Sequence, residues 1–96
     1  METDKSKKIV IAVIGRDQVG IVAKVATALA ENQVNIEDIS QKVFSGDIFA
    51  MTLMADIGAS TLDLPTLTQR LDSALDGMGL KVALHDAELF QYMHRV

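Results

Sequence analysis

The order of apolar segments along the chain predicts an α+β fold, a ferredoxin-like sandwich with the element order βαββαβ. Three observations carry this prediction. A wholly apolar run at 9–14 opens the chain, two segments repeat apolar residues at helical spacing, and a short turn at 45–47 joins two strand-like runs between those segments. This order predicts a four-stranded antiparallel sheet with two helices on one face.

The first strand and the first helix account for the opening third of the chain. Residues 9–14 are all apolar and mostly β-branched, as expected of a strand that is buried on both faces. From Ile21 to Leu29, apolar residues recur every three or four positions, with charged residues on the other side. This spacing predicts an amphipathic helix over about 18–31.

The polar loop before this helix carries a candidate anion-binding feature. We expect the carboxylate of Asp17 to cap the helix, because it can accept hydrogen bonds from the unpaired amides of the first turn. Gly20 would lie in that turn without a side chain to shield the amides. A small anion or zwitterion could therefore approach the positive end of the helix dipole there. Asn32 is expected to end the helix in a left-handed conformation.

Strands fill the middle and the end of the predicted fold. Residues 34–44 are predicted to form a long strand, and residues 48–56 the returning strand. The sequence Ser-Gly-Asp at 45–47 between them is typical of a hairpin turn. A last strand is expected over about 80–92.

The second helix is predicted from its end signals as well as from its periodicity. Leucines repeat at helical spacing over 64–76. Asp63 precedes them as a cap, and Pro65 falls in the first turn, where a missing N–H is harmless. Gly77 and Gly79 follow as stop signals.

Length and composition restrict the class of protein. The 96 residues are expected to form one domain, 1–96, with a flexible leader over 1–7. The absence of cysteine removes disulfides and thiolate chemistry. Because the chain shows no signal-peptide pattern and no apolar run long enough to span a membrane, we expect a cytoplasmic protein. A net charge of −4 and few aromatic residues argue against nucleic-acid binding. No cofactor is expected, and His85 and His94 are too far apart for a zinc site.

Apolar residues on both faces of the predicted sheet indicate self-association. Both alternating sets of residues are entirely apolar in the first strand and mostly apolar in the strand at 48–56. Helices on one side would leave the other apolar face uncovered, which is unusual for a soluble monomer. An interface of about 800 Å² per chain would cover it. The sequence therefore predicts a homodimer or a higher homo-oligomer.

Three segments resemble a known family. They are VIGRDQVGIV at 13–22, NIEDISQ at 35–41 and FQYMHRV at 90–96. On these motifs the chain resembles the small stand-alone ACT-domain proteins of bacteria and archaea, of the UPF0237 type. The resemblance covers nearly the whole chain. It implies an ACT domain that binds an amino acid or a small metabolite at the seam between two protomers.

The resemblance also implies which residues form the ligand site. The loop that lines the site in the family corresponds to five residues: Asp17, Gln18, Val19, Gly20 and Ile21. Asn35 and Ile36 match the strand start that meets this loop across the protomer interface. We expect the loop amides of 19–21 to hold a carboxylate, Asp17 to hold an ammonium group, and the Asn35 amide to hold either. The module would act in trans on a partner enzyme or regulator, because the chain carries no attached enzyme.

Two alternatives remain open at this point. Acylphosphatases share the predicted fold and use an arginine in the first loop with an asparagine near the second strand, and Arg16 and Asn35 lie in those regions. Asp17 next to Arg16 would repel a phosphate, which disfavours that hydrolase. The other alternative is a protein-interaction module that binds no ligand and docks through its apolar sheet.

Overall fold

The computed structural model describes residues 7–87, and these fold with the element order βαββαβ. The strands are β1 (Lys8–Arg16), β2 (Asn35–Phe44), β3 (Ile48–Asp56) and β4 (Leu80–Asp86), and the helices are α1 (Ile21–Glu31) and α2 (Leu64–Ala74). All four strands belong to one antiparallel sheet in the order β2-β3-β1-β4. The predicted ferredoxin-like fold is confirmed.

The core lies between the two helices and one face of the sheet. Alternate residues of the two central strands provide the sheet side of the core: Ile9, Ile11 and Val13 on β1, and Phe49, Met51, Leu53 and Ala55 on β3. The apolar stripes of the helices pack onto them with Ile21, Val25, Ala28 and Leu29 on α1 and Leu67 and Leu71 on α2. These residues are almost completely buried. The residues that recur every second position in the strands and about every 3.6 positions in the helices therefore form one core.

The opposite face of the sheet is apolar only along its centre. Val10 on β1 is 4% exposed, whereas Ile14 on the same face is 46% exposed. The expectation that the first strand is buried on both faces is therefore wrong towards its end. The strand register places Lys81 and His85 of β4 at one margin of this face, and the exposed strand β2 at the other. The margins are more polar than the centre.

The start of α1 differs from the sequence prediction. The helix begins at Ile21 rather than near residue 18, and Gly20 precedes it with φ 94°. Asp17 is therefore not the cap, since three residues separate it from the helix. No side chain among residues 7–87 caps this helix end. The chain needs residues 17–20 to turn from strand to helix, and the left-handed Gly20 completes the turn at no steric cost.

The end of α1 also differs. Asn32 has φ −106°, and the left-handed residue is Gln33 with φ 65°. Asn32 instead donates from its side-chain Nδ2 to the carbonyl of Ala28 at 2.6 Å. This bond satisfies a carbonyl of the last turn while the backbone of Asn32 stays near the helical region. The reversal of direction therefore falls on the next residue.

The start of α2 follows the prediction closely. The Asp63 carboxylate accepts from the N–H of Thr66 at 2.9 Å, and Pro65 lies in the first turn. The helix ends at Ala74, two residues earlier than predicted, and Gly77 and Gly79 follow with positive φ.

The two ends of the predicted domain need adjustment. The last strand ends at Asp86, and Ala87 is helical, so the strand does not continue towards residue 92. Residues 88–92 of that prediction lie outside the described residues. At the other end, Lys7 is not part of a free leader, because its N–H donates to Asp56 at 2.9 Å and its carbonyl accepts from Ile57 at 2.8 Å. The remaining leader residues, 1–6, also lie outside the described part of the chain.

Candidate functional site

The loop between β1 and α1, residues 17–20, is called the cleft loop because a cleft opens beside it. Neighbouring segments hold it on two sides. The N–H of Asp17 donates to the carbonyl of Asp47 in the β2–β3 hairpin at 2.8 Å. The side-chain Nε2 of Gln18 donates to the carbonyls of Arg16 and Met78, both at 2.9 Å. The loop is therefore fixed by contacts to distant parts of the chain rather than by a helix cap of its own.

The first turn of α1 offers unpaired hydrogen-bond donors. Because the helix begins at Ile21, the N–H groups of Ile21, Val22 and Ala23 have no carbonyl partner within the helix. The first turn contains no acidic residue, so no carboxylate of the helix itself compensates the positive end of the dipole. A negatively charged group is therefore favoured at this position.

A cleft of about 340 Å³ lies between the start of α1 and the outer part of β2. Its lining comes from the cleft loop, the first turn of α1, β2 and β3: Asp17, Gln18, Gly20, Ile21, Val22, Ala23, Gln41, Val43 and Phe49. Asp17 and the first turn of α1 with its unpaired N–H groups therefore line the same space. A carboxylate attracts a cation and unpaired N–H groups attract an anion, so this combination suits a zwitterion.

The cleft brings together four of the seven residues that the resemblance implied. Asp17, Gln18, Gly20 and Ile21 line it. The side chain of Val19 is 98% exposed and is not part of the lining.

Asn35 and Ile36 lie at the other end of the sheet. Asn35 pairs with Asp56, whereas Arg16, next to the cleft loop, pairs with Ile48. Ile48 and Asp56 are eight residue steps apart along β3, which corresponds to about 26 Å. A single protomer therefore cannot bring Asn35 to the cleft.

The same separation counts against the hydrolase alternative. An acylphosphatase-like site would need Arg16 and Asn35 to face one substrate, and the strand register places them at opposite ends of the sheet. Arg16 is exposed at the end of β1.

Five lining residues were not singled out from the sequence. Val22 and Ala23 belong to the first turn of α1, and Gln41, Val43 and Phe49 come from two strands. Val43 pairs with Phe49, and both lie on the side of the sheet that carries the helices. A register shift between Ile36 and Asp38 changes which residues of β2 share a face. Such a bulge has no clear signal in one sequence.

Ion pairs and hydrogen bonds stabilise the end of the sheet that carries Asn35. Lys8 on β1 reaches across β3, with its Nζ 2.6 Å from Glu37 and 3.5 Å from Asp56. The hydrogen bond to Glu37 is the main cause that raises the pKa of Lys8. The N–H groups of Gly58 and Lys7 hold the pKa of the Asp56 carboxyl below its usual value. These contacts fix Glu37, the extra residue of the bulge, and with it the start of β2.

Exposed apolar side chains lie on β1, in the cleft loop, at the start of α1 and along β2. The large exposed ones among residues 7–87 are Ile14, Val19, Val22, Ile39, Val43 and Phe44. β2 is an edge strand, and all of its residues except Ile36 are exposed. An exposed edge strand with apolar residues can pair with another strand.

Two features are absent from the described residues. Among residues 7–87, no three acidic or histidine side chains are grouped closely enough to hold a metal ion. No helix in that range has both the length and the apolar character needed to cross a bilayer.

Comparison with known proteins places this geometry in a family. The sequence profile of the ACT-domain family matches residues 7–85, which include every residue of the cleft. The chain belongs to the ACT-domain family. A UPF0237 protein of Methanocaldococcus jannaschii is 40% identical over 93% of this chain and 98% of its own length. This similarity confirms the resemblance to UPF0237.

Two solved structures extend the comparison. The ACT domain protein from Streptococcus pneumoniae has a TM-score of 0.76 and 30% identity, and the match covers 90% of this chain and 96% of that one. The regulatory subunit of aspartate kinase from Thermus thermophilus has a TM-score of 0.64 and 28% identity, over 85% of this chain and 52% of that one. The ACT domain is a regulatory type of domain.

Proposed function

We propose that this ACT domain binds a small amino-acid-like zwitterion in the cleft and works as a homodimer with the ligand at the protomer interface. In this proposal it regulates a partner enzyme or regulator in trans. The observation that carries the proposal is that Asp17 and the first turn of α1, whose N–H groups have no partner within the helix, line one cleft.

The chemistry of the cleft supports an amino acid as the ligand class. The N–H groups of residues 21–23 would donate to the ligand carboxylate, and the Asp17 carboxylate would accept from the ligand ammonium group. A volume of about 340 Å³ suits a small molecule. The apolar side chains of Val22, Val43 and Phe49 would contact the ligand side chain, so the ligand's side chain is expected to be apolar or small.

The separation of Asn35 from the cleft supports a site shared between two protomers. If two β2 edges pair in an antiparallel way around a two-fold axis, the start of each β2 lies beside the end of the other. Asn35 and Ile36 of the partner subunit would then lie alongside residues 43–45, next to the open side of the cleft. Two residues that are far apart in one protomer would thus complete one site.

Charges on β2 favour a particular register for this pairing. Asp38 and Lys42 lie on the same face of the sheet, two residues on either side of Ser40. With Ser40 on the two-fold axis, each Asp38 faces Lys42 of the partner subunit. Opposite charges directly across two strands stabilise the pair, and the two-fold axis forms this contact twice.

A shared site provides a regulatory mechanism. A ligand that contacts both protomers favours the arrangement in which both contacts are made, by no more than its difference in affinity for the alternative arrangements. Binding would therefore change the relative placement or the association of the protomers, and a partner protein could detect that change.

A protein-interaction module without a ligand is the second candidate function. The exposed apolar side chains along β2 favour it, because an apolar edge of this kind also suits docking to another protein. The two functions differ in their response to free amino acids.

Thermal unfolding with each of the twenty amino acids tests the proposal. At a concentration one hundred times its dissociation constant, a ligand adds about 2.7 kcal/mol to the free energy of unfolding. For a domain of this size, that raises the midpoint by several degrees. The rise should disappear in Asp17→Ala and persist in Asp72→Ala, which removes an exposed carboxylate on α2. If no amino acid shifts the midpoint, the interaction module becomes the better account.

A further inference from the structure

We infer that Gln18 is a positioning residue that couples the cleft loop to the turn between α2 and β4, residues 75–79, which we call the α2–β4 turn. This coupling has a regulatory role only if a ligand binds in the cleft, so that role rests on the proposed function. The coupling then determines where a change in the cleft reaches the surface. The coupling itself is a property of the ligand-free protein and can be measured without a ligand.

The hydrogen bonds of Gln18 carry the inference. Its side-chain amide has two donor hydrogens, and both point to main-chain carbonyls, those of Arg16 and Met78. The first bond holds the side chain against the end of β1, and the second spans sixty residues of sequence to the α2–β4 turn. With both donors engaged, Gln18 contributes to the cleft by holding the loop rather than by donating to a ligand.

A close approach between the end of β1, which precedes the cleft loop, and the α2–β4 turn supports the coupling. A Cβ atom added at Gly15 would lie 2.8 Å from the carbonyl oxygen of Gly79 and 2.8 Å from the side chain of Leu80. The end of β1 and the α2–β4 turn are therefore packed without free space. A displacement of one segment meets the other directly.

The α2–β4 turn has a specific conformation that such a contact can change. Gly77 and Gly79 have φ values of 84° and 68°, and Met78 between them packs against the core. The N–H of Met78 donates to the carbonyl of Leu75 at 3.1 Å, while its carbonyl accepts from Gln18. A ligand that moves the cleft loop would stretch or release the bond to this carbonyl. The α2–β4 turn is thus the surface on which occupancy of the cleft would be read.

Amide hydrogen exchange in the ligand-free protein tests the coupling. Two reporters are suitable because both amides are hydrogen-bonded: Asp17 in the cleft loop and Met78 in the α2–β4 turn. Gln18→Met keeps the length of the side chain but removes both donors. We expect exchange to accelerate about fivefold at both reporters, as for the loss of one ordinary hydrogen bond. Gln69→Met makes the same chemical change at an exposed position of α2 and should leave both rates unchanged.

A double-mutant cycle separates coupling from simple stabilisation. Gly77→Ala strains the turn, because alanine disfavours a φ of 84°. In the Gln18 protein this change should accelerate exchange at Asp17, and in the Gln18→Met background it should have no such effect. Gln18→Asn, which is too short to reach Met78, should behave like Gln18→Met and provides a second background if the first folds poorly.

Two outcomes would overturn the inference. In the first, Gly77→Ala accelerates exchange at the Asp17 amide equally in the presence and absence of Gln18. The coupling would then run through the packing at Gly15. In the second, the Asp17 amide responds in neither background. A protein that shows the coupling but is stabilised by no amino acid would instead contradict the proposed function and leave the role of Gln18 intact.

Discussion

The two ends of the sheet are built in different ways. At the cleft end, the helix begins without a side-chain cap, apolar side chains are exposed, and the loop is held by a few hydrogen bonds to other segments. At the Asn35 end, Lys8 forms ion pairs with Glu37 and Asp56, and the Asp56 carboxylate also accepts hydrogen bonds from two backbone N–H groups. The unpaired N–H groups at the cleft end suit a ligand. The ion pairs at the Asn35 end fix the start of β2, which would meet that ligand in the partner subunit's cleft.

In the proposed dimer, two β2 strands pair along their edges, so that the Asn35 end of one protomer would lie beside the cleft end of the other. Disrupting this pairing is expected to have the largest effect on dimer stability. Asp38→Lys would place like charges opposite each other twice in the proposed register. We expect the dimer to weaken by about 2 kcal/mol, or about thirtyfold in its dissociation constant, as measured by sedimentation. The double variant Asp38→Lys, Lys42→Asp restores opposite charges and should recover most of the loss. Equal dissociation constants for the wild type and Asp38→Lys would exclude the register.

Gly20 tests whether the cleft end depends on backbone conformation. A Cβ atom added there would meet no other atom within 4 Å, so any effect comes from its φ of 94°. We expect Gly20→Ala to lower the free energy of unfolding by about 1–2 kcal/mol in urea titrations. Gly20→Asn should lose less, because asparagine tolerates the left-handed region better. Equal losses for the two variants would show that the loop changes its conformation instead.

The pH dependence of stability tests the charges at the Asn35 end, where a smaller effect is expected. The pKa of Asp56 is lowered from 3.8 in the folded state. Its carboxylate therefore stabilises the fold above that value, and the contribution disappears as the pH falls through the folded-state pKa. Urea midpoints measured between about pH 5 and pH 2 should fall less steeply for Asp56→Asn than for the wild type.

The alkaline side of the same pH profile should show the contribution of Lys8 to stability. Its pKa is raised above 10.5, so its contribution is present below that value and disappears as the pH rises through the folded-state pKa. Lys8→Met should flatten this limb of the profile and leave the acid limb largely unchanged. If Lys8→Met and the wild type have parallel alkaline profiles, the contact with Glu37 does not stabilise the start of β2.

Local signals in the sequence predicted much of the fold. The apolar run of β1, the leucine spacing of α2 and its cap Asp63 each specify structure through neighbouring residues, and they were read correctly. The errors at Asp17 and Asn32 arose where the chain reverses direction. Several residues can supply the turn at such places, and the choice depends on distant contacts such as those from Asp17 to Asp47 and from Gln18 to Met78.

The candidate site was predictable only in part for a similar reason. The cleft loop carries a motif, so Asp17, Gln18, Gly20 and Ile21 could be singled out in advance. Val43 and Phe49 join the cleft because of the register between β2 and β3, which one sequence does not disclose. The role assigned to Asn35 requires a second copy of the chain.

A mixing experiment tests most directly the central claim that two protomers share each site. Asp17→Ala and Asn35→Ala would each abolish both sites of their own homodimer. A mixed dimer of the two variants keeps one intact site, formed by Asp17 of one chain and Asn35 of the other. Calorimetric titration with the amino acid that stabilises the wild type should therefore show no binding for either variant alone and recovered binding after they are mixed and re-equilibrated. Mixed variants that exchange subunits but recover no binding would contradict a shared site.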